Sequence, residues 1–381
     1  MFTKSFLYFW PDGIFENVHL KKDPGQIPVI FSKLGFQTTI MVPIMNAFNL
    51  PKNIEVYELS TGKSNTKNDG IKYLDLFKWK FVWRVIGILN FRKILSFLHN
   101  RKPDLILIEH TGGFITLLTF LLYRKNSKRK DKMSRMVLKY DLDPNIVAGI
   151  LFRLEYKLVL AIFDIVIVES KCAYDVLWSI KKSSKINIVP NGYLPHEIVT
   201  GYGDRKKIIL SVGRVVKQKG HDILIKSFAK VHDFHLDWFL VIAGPIEDKQ
   251  YYADLRDTIE KLGITKYVEF SGSLSDAELE QKYKQASIFC LLSRFEGFGI
   301  AIVEAISYGL PAIISAAGCG KEYRKYGTFV VPIGDIDKAA EAMLKLMENA
   351  ALRKEISKKQ MGGILSWNEV ALNIEKLAFS I

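Results

Sequence analysis

The chain has 381 residues, 49% hydrophobic and 25% charged. That is the balance of an ordinary globular protein too long for one hydrophobic core, so two domains of similar size are expected. Three cysteines, Cys172, Cys290 and Cys319, stand too far apart for a zinc cage or a disulfide framework and fit a reducing cytosol. The net charge of +14 is uneven: residues 1–200 carry 29 Lys and Arg against 17 Asp and Glu, the remainder 25 against 23, which directs the first half towards an anionic surface, a phosphorylated acceptor or a nucleic acid.

The opening MFTKSFLYFWPDG has an apolar run too short for a secretory signal, and Pro11-Asp12-Gly13 reads as a turn after a strand. Short β-rich runs follow at Ser5–Trp10, Thr38–Val42, Leu105–Ile108, Met136–Lys139 and Ile165–Val168, separated by longer amphipathic stretches. This is the rhythm of a parallel sheet wrapped by helices. The longest apolar stretch, Val147–Val168, is broken by Arg153, Glu155, Lys157 and Asp164, so no spanning helix is expected. Pro190-Asn191-Gly192 and a polar stretch ending in Arg205-Lys206-Lys207 mark a domain boundary at about residue 200.

The rhythm then repeats through Ile208–Val212, Phe239–Ala243, Tyr267–Phe270, Ile288–Leu292, Ala312–Ser315 and Phe329–Val331. The α/β class with two doubly wound parallel sheets follows. Such sheets bind ligands at the carboxyl ends of their strands, so two of them facing each other would form a cleft between domains.

Two turns at such strand ends carry candidate chemistry. After Ile208–Val212 come Gly213-Arg214, then Lys217, Lys219 and Gly220 before a helix. A diphosphate needs that set: amides at a helix start, a glycine for close approach, and cations, of which Arg214 and Lys219 are chosen. A solvated basic loop is the bland alternative. After Ile288–Leu292 the run Ser293-Arg294-Phe295-Glu296-Gly297-Phe298-Gly299 opens a helix carrying Glu304. Glu296 could hold a hexose and Glu304 a ribose diol, because a carboxylate accepts two hydroxyl hydrogen bonds. Against this, Glu296 could be a helix-start charge, although Glu304 among Ile300, Ile302, Val303, Ala305 and Ile306 is poorly placed as an idle surface residue.

Here the sequence resembles the retaining glycosyltransferases of the glycogen synthase type, family 4, whose hallmark is two glutamates separated by seven residues, here Glu296 and Glu304. The similarity runs through VPNGY at 189–193, SVGRVVKQKG at 211–220, VIAGP at 241–245, VEFSGSLS at 268–275 and YGLPAIIS at 308–315. The resemblance implies two facing Rossmann-like domains (GT-B): an acceptor-binding domain at 1–200, a nucleotide-sugar domain at 201–365, and a Trp-containing helix at 366–381 returning to the first. It implies retention of anomeric configuration with a nucleotide-diphosphate sugar as co-substrate, UDP- or GDP-linked, and neither cofactor nor required metal. Carried over by motif, Gly213, Arg214 and Lys219 meet the diphosphate and Glu304 the ribose. Glu296 with the backbone of Phe298 and Gly299 meets the sugar, and Gly272 to Leu274 lie along the base. The paired glycines that relatives carry in the first strand-to-helix loop are missing; this chain has Gly13 and then Gly25.

In the first half the strand at 105–109 ends in His110-Thr111-Gly112-Gly113, which places His110 towards the cleft for hydrogen bonding or proton transfer. Asp141, after the next strand, lines the acceptor side. No HxH or HExxH pattern supports a metal. Lys78–Lys102 mixes Trp79, Phe81, Trp83 and Phe91 with cations, and Phe114–Tyr123 precedes the basic cluster 124–130. Both suggest attachment to an anionic membrane, and so a lipid-linked glycan acceptor at the cytoplasmic face. The alternatives are helices that simply cover the sheet, a catalytically silent binding partner of another transferase, and a transferase acting on a soluble or nucleic-acid acceptor.

Overall fold

The computed structural model describes residues 4–11, 14–16, 23–42, 44–46, 50–59, 63–65, 80–110, 114–127, 133–140, 149–194, 196, 205–360 and 363–379. Side chains are described for these except at 14–16, 23–24, 44–46, 63–65, 80–90 and 114–115. The chain forms two compact units, Met1–Gly192 with Ser366–Ile381, and Tyr193–Leu365.

The first unit runs β1 (Ser5–Phe9), β2 (Ile14–Glu16), α1 (Asp23–Lys33), β3 (Gln37–Val42), β4 (Ile44–Asn46), β5 (Glu55–Glu58), β6 (Lys63–Asn65), α2 (Lys80–Arg101), β7 (Leu105–Glu109), α3 (Phe114–Ser127), β8 (Arg135–Lys139), α4 (Ile150–Ile162), β9 (Ile165–Val168), α5 (Lys171–Ile180) and β10 (Ile186–Ile188). Its sheet has the order β10-β9-β8-β7-β1-β3-β5-β6, parallel except for β6, which runs antiparallel to β5. A separate parallel ribbon pairs β2 with β4. The continuous apolar runs of β7 and β9 are buried throughout, as strands covered on both faces must be. Leu117, Phe120 and Tyr123 of α3, with Phe97 and Leu98 of α2, lie in this core. Those parts of the two apolar helices therefore cover the sheet. Strand order reverses between β1 and β7, which places the crevice of this unit at the ends of those two strands.

The second unit runs β11 (Ile208–Val212), α6 (His221–His232), β12 (Phe239–Ala243), α7 (Lys249–Lys261), β13 (Val268–Gly272), α8 (Asp276–Gln285), β14 (Ile288–Leu291), α9 (Ile300–Ser307), β15 (Ala312–Ser315), β16 (Phe329–Val331), α10 (Ile336–Glu348) and α11 (Ala350–Gln360). Its order is β13-β12-β11-β14-β15-β16, parallel at every pairing. Its helix starts are written in short polar residues. Asp248 caps α7 through the Tyr251 amide, Asp335 caps α10, and Ser275 with Glu278 forms a capping box on α8. The switch point lies between β11 and β14.

The final helix, α12 (Trp367–Phe379), belongs to the first unit and packs on α1. Trp367, Val370 and Ile374 are buried there, each large apolar side chain contributing roughly 1.5–3 kcal/mol. Gly192 is required at this contact, since a Cβ there would stand 2.6 Å from the Trp367 amide nitrogen.

Candidate functional site

Two loops leave the switch point of the second unit side by side. One carries Gly213 and Arg214 from β11 through a 3-10 turn, Lys217–Lys219, to Gly220 and α6. The other carries Ser293 to Gly299 from β14 to α9. Only glycine fits at 220: its φ is 68°, and a Cβ would meet the Leu292 carbonyl oxygen at 2.1 Å.

Polar contacts lock the loops together. The Arg294 guanidinium donates to both carboxylate oxygens of Asp222, at 2.7 and 2.6 Å, and to the Lys217 carbonyl at 2.9 Å. The Arg294 amide donates to Gln218 O at 2.8 Å, and the Tyr251 hydroxyl donates to Asp222 at 2.6 Å. Burial acts against the Asp222 charge, but Arg294 and Tyr251 outweigh it and hold its pKa down to about 2, against an ordinary value of 3.8. A depressed carboxylate pKa stabilises the fold above 3.8, and that contribution is lost as pH falls through about 2. Asp222→Asn is therefore expected to cost about 1–2 kcal/mol in urea unfolding at pH 7, a figure discounted for partial exposure, and much less near pH 2. An equal cost at both pH values would remove the ion pair as the cause.

The carboxylate of Glu296 sits between these loops. Lys219 Nζ donates to its Oε2 at 2.7 Å and Ser293 Oγ to the same oxygen at 3.0 Å, with Lys219 and Glu296 side chains about 15% exposed. Arg214 donates to Glu247 at 2.8 Å, both half exposed. Gly299, at φ 83°, caps α9 without any side-chain bond, leaving a helix start of the kind that receives anions. Behind this loop, Gly318 lies so close that a Cβ would stand 1.7 Å from the Glu296 carbonyl oxygen. The Tyr323 hydroxyl donates to Phe298 O at 2.7 Å, and Cys319 Sγ approaches Gly297 O at 3.1 Å.

On α9, Glu304 Oε2 accepts from the Tyr283 hydroxyl at 2.9 Å. Gly272, φ 66°, ends β13 with open space where a Cβ would be, and Leu274 and Phe298 are partly buried against the core. His221 at the start of α6 is fully buried and has no hydrogen-bond partner for either ring nitrogen among the described residues. Burial first, then the Lys219 charge, pushes its pKa down to about 4.

In the first unit His110 takes a left-handed φ of 63°, a cost of the kind found at functional turns. Its amide donates to Lys139 O at 3.0 Å, and its ring stands edge-on to Trp10 at 5.9 Å, so the β1 and β7 ends meet at the crevice. Beside it Lys139, 1% exposed, lies 3.0 Å from Glu169 and 4.0 Å from Glu109, and Asn191 Nδ2 donates to Glu169 at 2.6 Å. Asp141 and Gly13 lie outside the described residues. The sequence pattern carries Ser293 only as a member of the loop run and Lys139 only as a strand end, and gives no role to Asp222, Tyr283 or Gly318.

Two doubly wound parallel units with this loop pair define the GT-B fold of glycosyltransferases. HepE of Anabaena, solved with UDP and glucose, superposes with a TM-score of 0.69 over 99% of this chain and 100% of its own, at 16% identity. Residues 198–361 match the family described as glycosyl transferases group 1. A glycosyltransferase of Methanocaldococcus jannaschii is 30% identical over 220 residues, 52% of this chain and 55% of the relative. The GDP-mannose:cellobiosyl-diphosphopolyprenol alpha-mannosyltransferase of Xanthomonas campestris is 35% identical over 152 residues, 39% of this chain and 40% of the relative. The chain thus spans about half the length of these curated relatives.

Proposed function

We propose that the protein is a retaining glycosyltransferase that moves a sugar from a nucleotide-diphosphate sugar to a hydroxyl of a glycan or lipid-linked acceptor. The observation that carries this is Glu296, its carboxylate fixed by Lys219 and Ser293 beside the open start of α9. In the proposed reaction the bond from the anomeric carbon to the diphosphate oxygen breaks and a bond to the acceptor oxygen forms on the same face. Charge gathering on the leaving nucleoside diphosphate is met by Arg214, Lys219 and the α9 amides, which stand ready before the reaction begins. The acceptor proton passes to the departing phosphate oxygen. Glu296 holds hydroxyls of the transferred sugar, Glu304 the ribose, and His110 and Asp141 serve the acceptor side. Because Arg and Lys supply the positive charge, activity is expected to persist in chelator.

Screening UDP- and GDP-sugars for released nucleoside diphosphate, with and without total lipid extract and with EDTA, tests this reading. Absence of any sugar-nucleotide binding, together with no change on Glu296→Ala, would sink it. The X. campestris relative names a GDP-mannose donor and a polyprenol-linked acceptor, and HepE was solved with UDP, so both bases belong in the screen.

Attachment to the cytoplasmic face of a membrane is the second part of the proposal. No helix among the described residues is long and apolar enough to cross one. At the start of α4, Ile150, Leu151 and Leu154 are 79%, 82% and 56% exposed, next to Arg153 and Lys157 in a unit rich in cations. Aliphatic side chains beside lysine and arginine suit shallow insertion among anionic headgroups. Paired Leu151→Glu and Leu154→Glu changes are expected to weaken cosedimentation with phosphatidylglycerol vesicles about tenfold or more. Unchanged sedimentation, or none by the parent protein at low salt, removes this part.

A further inference from the structure

Glu304 is useful as a ribose contact only if its carboxylate is already aimed, since a glutamate side chain otherwise loses three rotatable bonds of freedom on binding. We propose that Tyr283 is the positioning residue for nucleotide recognition: its hydroxyl donates to one oxygen of Glu304 and so aims the carboxylate at the ribose hydroxyls. This rests on the reading of Glu304 as the ribose contact.

Tyr283 lies on α8, and its ring is 2% exposed. Burial, followed by the Glu304 charge, raises the pKa of its hydroxyl well above the ordinary tyrosine value, so the group is a permanent donor. The ring cannot drift, because it is one leaf of a three-ring stack. Tyr308 lies parallel to it at 5.1 Å and 7°, and His196 lies on Tyr308 at 3.6 Å and 6°. His196 Nε2 is 2.9 Å from Ser307 Oγ, which in turn donates to the Glu304 carbonyl at 2.7 Å. The stack therefore returns to the backbone of the residue it serves.

Arg205 fixes the base of the arrangement. Its guanidinium donates to Tyr283 O at 2.9 Å, Ala286 O at 2.8 Å and Tyr308 O at 2.6 Å. Those carbonyls stand at the carboxyl ends of α8 and α9, where helices leave acceptors without intrahelical donors and favour a cation. One side chain thus holds together the helix that carries the donor hydroxyl and the helix that carries its carboxylate.

The test reads ribose recognition directly. UDP and GDP are titrated into wild type, Tyr283→Phe, Glu304→Ala and the double variant, each beside the 2′,3′-dideoxy form of whichever nucleotide binds. Tyr283→Phe is expected to weaken the nucleotide about tenfold and to bring its dideoxy form to within about threefold of it. The double variant should lose no more than Glu304→Ala alone. With donor varied, its KM rises while kcat, the limit at saturating donor, stays within about twofold, the mark of a contact shared by ground and transition states. A general disturbance of the fold would not narrow the ribose-to-dideoxy ratio. If Tyr283→Phe retains full discrimination while Glu304→Ala loses it, the role of Tyr283 is overturned and the Glu304 reading stands. If Glu304→Ala also retains it, or neither nucleotide binds the wild type, the ribose reading falls and this inference with it. Should Tyr283→Phe lose its fold, Tyr308→Leu removes the supporting ring and is expected to erode the same ratio; an unchanged ratio there overturns the proposal.

Discussion

Glu296→Gln is expected to lower the turnover of sugar transfer by about 100- to 1000-fold while nucleoside diphosphate affinity stays within about threefold. The substitution keeps the shape of the side chain. It removes the charge that receives Lys219 at 2.7 Å and Ser293 at 3.0 Å, and turns an amide that must present donors as well as acceptors towards an ammonium group and the donor hexose. In the proposed reaction the ribose and diphosphate contacts fall to other residues, so binding of the leaving group should survive. Released nucleoside diphosphate at saturating donor gives the first quantity and calorimetric titration the second. Unimpaired turnover would mean that the transferred sugar is held elsewhere.

Gly318→Ala is expected to destabilise the protein by about 3 kcal/mol and to abolish transfer with it. At φ 54° an L-residue is strained on its own account, and here the new Cβ would also overlap the Glu296 carbonyl oxygen at 1.7 Å, a backbone atom that cannot rotate away. The loop bearing Glu296 must shift for the chain to accommodate it. Gly334→Ala separates the two effects: its φ is 80°, but nothing stands within 4 Å of the added atom, so strain alone, about 1 kcal/mol, is expected and transfer should continue. Urea unfolding and turnover of both variants check this. Equal losses in the two would show that the Glu296 contact is not what matters.

Which parts of this were legible in the sequence follows from how local their causes are. The central strands of both sheets are continuous apolar runs closed by glycine or polar turns, and they lie where the hydrophobic rhythm put them. β5, Glu55-Val-Tyr-Glu, has only two apolar residues between two charges, and β10 is only Ile186-Asn187-Ile188; each is a strand because a neighbour offers it hydrogen bonds, which no local pattern announces. The turn glycines and the cations of the second unit were readable from their place after a strand. The Asp222–Arg294 pair, 72 positions apart, exists only because the neighbouring parallel strands β11 and β14 bring their following loops to one edge of the sheet, and the Tyr283–Glu304 bond, 21 apart, only because the fold brings α8 and α9 together.

The division of the chain at Gly192 and again at Leu365 has a consequence for recombination. In chain order the second unit is an insertion, and the last helix of the first unit arrives only after the insertion has ended. A chimera made with a single crossover near residue 193 would bring a foreign α12, whose Trp367, Val370 and Ile374 counterparts have never been matched to the α1 face they must cover. Exchange of the second unit between relatives should therefore succeed with two junctions, one at Gly192 and one at Ser366, with the terminal segment kept alongside the first half.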